Sequence, residues 1–138
     1  MFTIDAMSRQ PVSEQLVDQA ERFILTGILK AGDQIPSVRN LSAQLYINPN
    51  TIQKAFSELG SRGLTQAVPG RGSFIAEDAA ALLSKRKRSN LTALDRMLEE
   101  LALAGAPQSV VEEHVRRAYQ SLEIRNQTEE EKLYDPSV

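Results

Sequence analysis

The fold is decided by the stretch SVRNLSAQLYINPNTIQKAF, residues 37–56, which contains one predicted helix and most of a second. The first helix spans residues 37–46, because Ser37 is a favourable N-cap and the apolar side chains after it recur at helical spacing. These apolar residues are Val38, Leu41 and Leu45. A second helix follows after residues 46–48, a turn short enough to fix the crossing angle of the two helices.

The second helix begins at Asn48 and Pro49, where asparagine is a favourable cap and proline suits the first helical position. Its buried face is predicted to consist of Ile52, Ala55, Phe56 and Leu59. Gly63 is the expected end of this helix, because glycine commonly follows a helix C-cap.

The segments on both sides extend this pair into a domain. Apolar residues at helical spacing predict a preceding helix over residues 11–29, and residues 1–5 are a candidate edge strand. After the pair, short apolar runs at residues 64–68 and 73–76 flank the sequence PGRG, which predicts a β-hairpin. Three helices followed by a hairpin is the order of a winged helix-turn-helix domain, which we assign to residues 1–77.

Beyond residue 77 the helical period returns and predicts a helical hairpin over residues 78–125. One helix runs from a cap at Asp78 to the sequence GAP at residues 105–107, which also starts the second helix. The apolar seams are Leu91, Leu94, Leu98 and Leu101, then Val111, Val115, Ala118 and Leu122. One copy cannot bury both seams, so we predict a homodimer through this region. Residues 126–138 are expected to be a disordered tail.

The composition excludes several classes of function. The chain has 138 residues, of which 41% are hydrophobic and 25% charged, as in a soluble globular protein. No apolar run approaches the ~20 residues that cross a bilayer, so we expect a cytoplasmic protein with no membrane partner. Cysteine is absent and His114 is the single histidine. An enzyme remains possible only through carboxylates or lysine. Because the acidic residues are expected on helix surfaces and not together in one pocket, we predict no enzymatic activity, no cofactor and no metal site.

Positive charge is concentrated in the middle of the chain. The net charge of the whole chain is −2, but residues 30–76 contain five basic and two acidic residues. This local excess is compatible with a nucleic-acid partner. The sequence KRKR at residues 85–88 would point around the whole circumference of a helix, so we interpret it as a solvated stretch.

The second helix of the pair presents polar side chains that suit DNA. The amides of Asn50 and Gln53 can form paired hydrogen bonds with adenine, and Lys54 suits guanine or phosphate. The N-terminus of this helix offers N–H groups and a positive dipole end to a phosphate. Arg71, at the tip of the hairpin, can enter an adjacent minor groove. The predicted partner is double-stranded DNA.

Four short motifs resemble the GntR family of bacterial transcription regulators, and most of all its YtrA-type subfamily. They are GDQIPSVR at residues 32–39, LSAQL at 41–45, NPNTIQKAF at 48–56 and GRGSFI at 70–75. The short helical region that follows also resembles that subfamily. The resemblance implies a sequence-specific regulator that acts as a repressor by occupying an inverted-repeat operator as a homodimer.

The resemblance also implies particular contacts. Arg39 matches an arginine that touches DNA, and Gly72 with its neighbours matches the tip of the wing. Family members carry Ser-Arg-x-Thr-Val-Arg at the start of the second helix of the pair, whereas this chain has Pro49 and Gln53 at the arginine positions. The full predicted DNA interface comprises Ser37, Arg39, Asn48, Pro49, Asn50, Thr51, Gln53, Lys54, Arg71 and Gly72.

The alternative is a winged helix that docks a protein and does not bind DNA. An exposed polar helix with solvated arginines is compatible with that function too. Polar residues at positions 50, 53 and 54 favour DNA, because protein-docking surfaces are enriched in aromatic and apolar anchors. Nothing in the sequence indicates a small-molecule effector, although the function allows one.

Overall fold

The computed structural model describes the backbone of residues 1–133 and the side chains of residues 1–123. It is mainly helical, with one antiparallel two-stranded hairpin, as predicted. The elements in chain order are α1 (Val12–Leu25), α2 (Val38–Leu45), α3 (Pro49–Ser61), β1 (Thr65–Val68), β2 (Gly72–Ile75), α4 (Ala79–Arg88), α5 (Leu91–Leu103) and α6 (Gln108–Leu133). None of the described helices is long and apolar enough to span a membrane.

The chain forms two units, of which the first comprises residues Met1–Arg88. In this unit α3 packs on both α1 and α2, and α4 packs on α1. The core contains the apolar faces of these helices together with Leu64, Ile75 and Ala76 at the base of the hairpin. Its fully or almost fully buried members include Leu16, Ala20, Ile24, Leu41, Ile52, Ala55, Leu59, Leu64, Ile75 and Leu83. The face of α3 that contains Ile52, Ala55 and Leu59 is buried in this core, and the opposite face is exposed to solvent.

Helix α1 ends earlier than its apolar pattern predicts. The helix stops at Leu25, not at residue 29, because Gly27 adopts a left-handed conformation with φ of 80°. The Thr26 hydroxyl donates to the carbonyl of Arg22 at 2.7 Å, which satisfies one of the last helical acceptors. The chain then turns, and Leu29 reaches the core from outside the helix.

Residues 1–5 do not form the expected edge strand. Glutamine side chains of α1 take the place of a partner strand: Thr3 N donates to Gln19 Oε1 and Asp5 N donates to Gln15 Oε1, each at 2.9 Å. The ring of Phe2 packs edge-on against Phe23, with 5.3 Å between the centroids. Side-chain amides can satisfy an extended backbone in this way without a β-sheet.

The hairpin gains a third, short partner that the sequence pattern does not reveal. Thr65 pairs with Ile75 and Val68 with Gly72, so the turn consists of residues 69–71. On the other side of β2, Ile35 N donates to Ser73 O at 3.0 Å and Ile75 N donates to Asp33 O at 2.8 Å. A two-stranded hairpin alone is marginally stable, so this extra pairing anchors the wing to the core.

The region after the hairpin contains two helices where the sequence predicts one. Residues 89 and 90 separate α4 from α5. Ala79 and Leu83 of α4 are buried in the core of the first unit. The first unit therefore extends through Arg88, beyond the boundary predicted at residue 77. The amphipathic pattern does not show this break, because both helices are locally favourable.

The second unit begins at Ser89 and contains α5 and α6. Between residues 89 and 123 no described side chain is buried, so the two helices do not close the buried interface expected of a packed hairpin. Helix α6 continues through Leu133, into the segment expected to be a disordered tail. The rest of that segment, residues 134–138, lies outside the described residues.

Candidate nucleic-acid interface

The turn between α2 and α3 is held by its own hydrogen bonds. Tyr46, the C-cap of α2, adopts a left-handed conformation with φ of 56° and ψ of 41°. Ile47 N donates to Ser42 O at 3.3 Å, and the Ser42 hydroxyl donates to Ile47 O at 2.5 Å. This closed turn fixes where α3 starts relative to α2.

The start of α3 satisfies its own backbone donors. Pro49 has no N–H, and Asn50 N donates to Asn48 Oδ1 at 2.8 Å. Thr51 N donates to Asn48 O at 3.0 Å. The predicted phosphate site made from unpaired N–H groups at this helix start is therefore closed, and only the dipole and side chains of α3 remain available to an anion.

The exposed face of α3 carries the amides that the sequence predicts. Asn50, Gln53 and Lys54 are exposed, whereas Ile52 and Ala55 are fully buried. The amide nitrogen of Gln53 donates to Ser57 Oγ at 3.3 Å, one helical turn further on. This bond orients the side chain along the helix and leaves the Gln53 amide oxygen without a hydrogen bond in the described chain.

The basic residues of the first unit fall into two classes. Arg39 in the first turn of α2, Lys54 on α3 and Arg71 at the wing tip are exposed and have no ion-pair partner among the described residues. Arg62 instead contacts Glu58 at 2.9 Å and Glu21 at 3.2 Å. The hydrogen bond that Arg62 Nε donates to Glu58 raises the pKa of Arg62, so the charge of Arg62 is committed to the fold.

The tract at residues 85–88 is not simply solvated, as the sequence pattern suggests. Lys87 Nζ lies 3.3 Å from Glu21 Oε1, and Arg86 donates to the carbonyl of Arg62 at 2.6 Å. Two of its four cations thus join α4 to α1 and to the end of α3. Their charge serves packing within the first unit.

Two grooves border α3 and divide the predicted interface residues. A groove of about 370 Å³ between α3, the start of α2 and the hairpin is lined by Ser37, Gln53 and Gly72. Lys54 lines a separate groove of about 390 Å³ between α1 and α3. Ser37 also caps α2, since its hydroxyl accepts from Asn40 N at 3.1 Å.

Comparisons with known proteins agree with this geometry. The protein-family model described as bacterial regulatory proteins, gntR family, matches residues 12–75 of this chain. The transcriptional repressor YtrA of Bacillus subtilis is 38% identical over 103 residues, which cover 75% of this chain and 77% of YtrA. The chain belongs to the GntR family. The predicted resemblance to the family and to its YtrA-type members is confirmed.

Solved structures of GntR-type regulators share the fold. A GntR family regulator from Listeria monocytogenes matches with a TM-score of 0.66 and 29% identity, covering 83% of this chain and 98% of that one. A structure described as a transcriptional antiterminator from Listeria monocytogenes EGD-e has a TM-score of 0.70 and 30% identity, covering 88% and 91%. GntR-family relatives are transcription regulators and not enzymes, and this chain is a DNA-binding regulator of that family.

Sequence reasoning misses two residues of this GntR domain that the structure singles out. Gln34 donates from its side-chain amide to the carbonyl of Arg71 at 2.8 Å and lies across the α-carbon of Gly72. Tyr46, two positions before the α3 cap at Asn48, is 94% exposed. No local pattern in the sequence indicates the contact of Gln34. The left-handed backbone of Tyr46 does have a local signal, because helices commonly end in that conformation and Tyr46 lies between the end of α2 and the cap of α3.

The second unit of this GntR chain exposes the predicted seam residues. Leu91, Leu94 and Leu101 are 60%, 42% and 42% exposed, and Leu98 and Val111 are half-buried. Exposed apolar residues continue along α6, at Val115, Ala118 and Leu122. The predicted seams omit four further large exposed apolar residues of these helices: Met97, Leu103, Val110 and Tyr119. Apolar side chains of both helices are thus exposed to solvent.

Proposed function

We propose that this GntR-family protein is a transcriptional repressor that binds an inverted-repeat operator as a homodimer. The observation that carries the proposal is the arrangement of unpaired cations around the exposed amides of α3. Arg39 marks the start of α2, Lys54 lies on α3 and Arg71 occupies the tip of the wing. Exposed cations without partners contribute to phosphate binding, whereas paired cations are already neutralised.

In the proposed complex α3 enters the major groove with its first two turns. Gln53 presents an amide that matches the donor and acceptor of adenine, once the weak bond to Ser57 is exchanged. Asn50 lies on the same exposed part of the helix, and its side chain has no bond within the described residues. Because glutamine and proline replace the family's arginines at positions 53 and 49, we infer a preference for adenine over guanine at this step.

The remaining predicted residues position the domain on the DNA backbone. Arg39 and Lys54 contact phosphates on either side of α3, and Thr51 offers a half-buried hydroxyl. Ser37, Asn48 and Pro49 act mainly through the helix starts that they build. Arg71, carried on the turn before Gly72, reaches into the adjacent minor groove.

The homodimer part of the proposal rests on the second unit. Its described side chains leave leucine and valine residues of α5 and α6 in solvent, and a second copy supplies the same apolar surface. A two-fold axis pairs identical surfaces and places two α3 helices on two half-sites of opposite orientation. An inverted repeat is therefore the expected form of the operator.

Repression follows from occupancy of a promoter and needs no reaction. The 38% sequence identity to YtrA, which is described as a transcriptional repressor, supports repression over activation. A bacterial regulator of this kind works in the cytoplasm, where the chromosome lies. A small-molecule effector is compatible with this function but is not part of the proposal, because nothing in the sequence indicates one.

Enrichment of DNA from a random-sequence pool by the purified full chain tests the proposal. The expected product is one inverted repeat, and a reporter promoter that contains it should be silenced when the protein is expressed. The variant Arg39→Ala/Arg71→Ala should lose both effects, while Arg22→Ala, which removes an exposed cation from α1, should retain them. Absence of DNA binding contradicts the proposal and favours the protein-docking alternative. Binding to all pool sequences alike contradicts sequence-specific recognition, and enrichment of direct repeats contradicts a two-fold dimer on an inverted repeat.

A further inference from the structure

A side chain outside the predicted interface holds the tip of the wing. Gln34 lies 37 positions before Arg71 in the chain, yet its amide nitrogen donates to the Arg71 carbonyl at 2.8 Å. Within the turn itself, the described bond is Arg71 N to Val68 O at 2.9 Å. The bond from Gln34 thus ties the turn to a segment outside the hairpin.

The contact between Gln34 and the wing is close as well as polar. A Cβ atom at Gly72 would lie 2.6 Å from Nε2 of Gln34, well inside van der Waals contact. Gly72 also has φ of 108°, which side chains rarely adopt. The absence of a side chain at residue 72 therefore lets the Gln34 amide reach past Gly72 to the carbonyl of the preceding residue, Arg71.

The backbone around Gln34 makes it a firm anchor. Gln34 pairs with Phe74 in an isolated bridge, and Ile35 N donates to Ser73 O at 3.0 Å. Ile35 is buried in the core, and Ser37 begins α2 two residues later. The segment that carries Gln34 therefore joins the wing to the start of α2, where Arg39 lies.

We propose that Gln34 is a positioning residue that places the guanidinium of Arg71 for its DNA contact. The inference rests on the proposed function, since it concerns the wing of the same interface. Gln34 itself touches no DNA in this proposal. It holds the backbone of Arg71, so that less freedom of the turn is lost when the arginine binds. Different side chains at residue 34 would then tune the contribution of the wing without changing α3.

A double-mutant cycle isolates this role, because Gln34 bonds to a backbone atom of Arg71. Gln34→Met keeps the length of the side chain and removes the donor. Arg71→Ala removes the guanidinium and keeps the acceptor. The probe is a duplex enriched by the wild-type protein from a random pool, with affinity measured by fluorescence anisotropy, and the free energy of unfolding measured for each variant.

We expect Gln34→Met to weaken binding by about threefold to tenfold in the wild-type background, the range of one net hydrogen bond. In the Arg71→Ala background it should leave the affinity unchanged. Its effect on the free energy of unfolding should be equal in both backgrounds, because the bond to the carbonyl is lost in each. A merely structural role would produce no such split between affinity and stability.

The possible failures are distinguishable. A wild-type protein that enriches no sequence refutes the proposed function and this inference together. Sequence-specific binding with no loss in Arg71→Ala leaves the function standing and overturns the inference. The inference is also overturned if Gln34→Met weakens binding equally in the presence and absence of the Arg71 guanidinium.

Discussion

Lys87 Nζ of α4 lies 3.3 Å from Oε1 of Glu21, a carboxylate of α1 that is only 5% exposed. The other oxygen of this carboxylate accepts from Arg62 Nη1 at 3.2 Å. A buried charge on α1 is thus shared between a cation of α3 and a cation of α4. The pairing explains why α4 belongs to the first unit and why part of the KRKR tract is not available to DNA.

Replacement of Lys87 should destabilise the first unit. Lys87→Ala leaves Glu21 with one partner, and we expect the free energy of unfolding to fall by about 1–2 kcal/mol, less than for a fully buried pair because Lys87 is half exposed. Urea denaturation followed by circular dichroism measures the change. Lys85→Ala is the matched control on the same helix, and an equal effect of the two variants would contradict a specific role for Lys87.

Replacement of Tyr46 by glycine should stabilise the first unit. It has φ of 56°, the left-handed region that disfavours a Cβ, and its ring is 94% exposed and contributes little packing. Tyr46→Gly should raise the free energy of unfolding by about 0.5–1 kcal/mol, after the entropy of glycine in the unfolded chain is allowed for. Tyr46→Ala retains the Cβ and should show no comparable gain. Thermal and urea denaturation of both variants check this difference.

The homodimer depends on the seam of α5 in our proposal. Leu94→Ala/Leu98→Ala should shift the protein towards monomers in sedimentation equilibrium, since each leucine loses about 2–5 kcal/mol if fully buried at the interface. Leu103→Ala, on the same helix but outside the seam and 89% exposed, is the control. A wild-type chain that sediments as a monomer at micromolar concentration, or a double variant that stays dimeric, would rule out this interface.

Arg39 should contribute affinity without sequence preference. Arg39→Ala is expected to weaken binding to every duplex by a similar factor and to reduce the slope of log affinity against log salt by about one per phosphate contact, hence about two per dimer. The residue has no ion pair in the described chain, so the fold should be unaffected. Titrations at several salt concentrations decide the point. An unchanged slope with intact circular dichroism removes Arg39 from the interface.

Gln53 should contribute sequence preference. Gln53→Ala is expected to reduce discrimination at one base pair in each half-site by about 1–3 kcal/mol and to leave non-specific binding nearly unchanged. Affinities for operators with each base at each position, measured for wild type and variant, are the test. Ser57→Ala, which removes the intramolecular partner of the Gln53 amide, should preserve the preference. Uniform losses across all bases would make Gln53 a backbone contact or a scaffold residue.

Local signals were sufficient for the core of the winged helix. Ser37, Asn48 and Pro49 mark where α2 and α3 begin, because a cap acts on backbone groups within three residues of itself. Apolar periodicity placed Leu41, Ile52 and Leu59 in the core, and the glycines around Arg71 marked the hairpin turn. Each of these inferences depends on neighbours in the sequence.

The tertiary structure alone decided which polar groups are free. Arg62 has Glu58 one helical turn before it in the sequence, but its second partner, Glu21, lies 41 residues away and reaches it only in the fold. Gln34 meets the wing tip, and Lys87 meets α1, only after the helices pack. Such contacts join residues far apart in the chain, and their strength depends on burial and distance. A local pattern carries neither quantity, so the division between cations that hold the fold and cations left for DNA appears only in the folded domain.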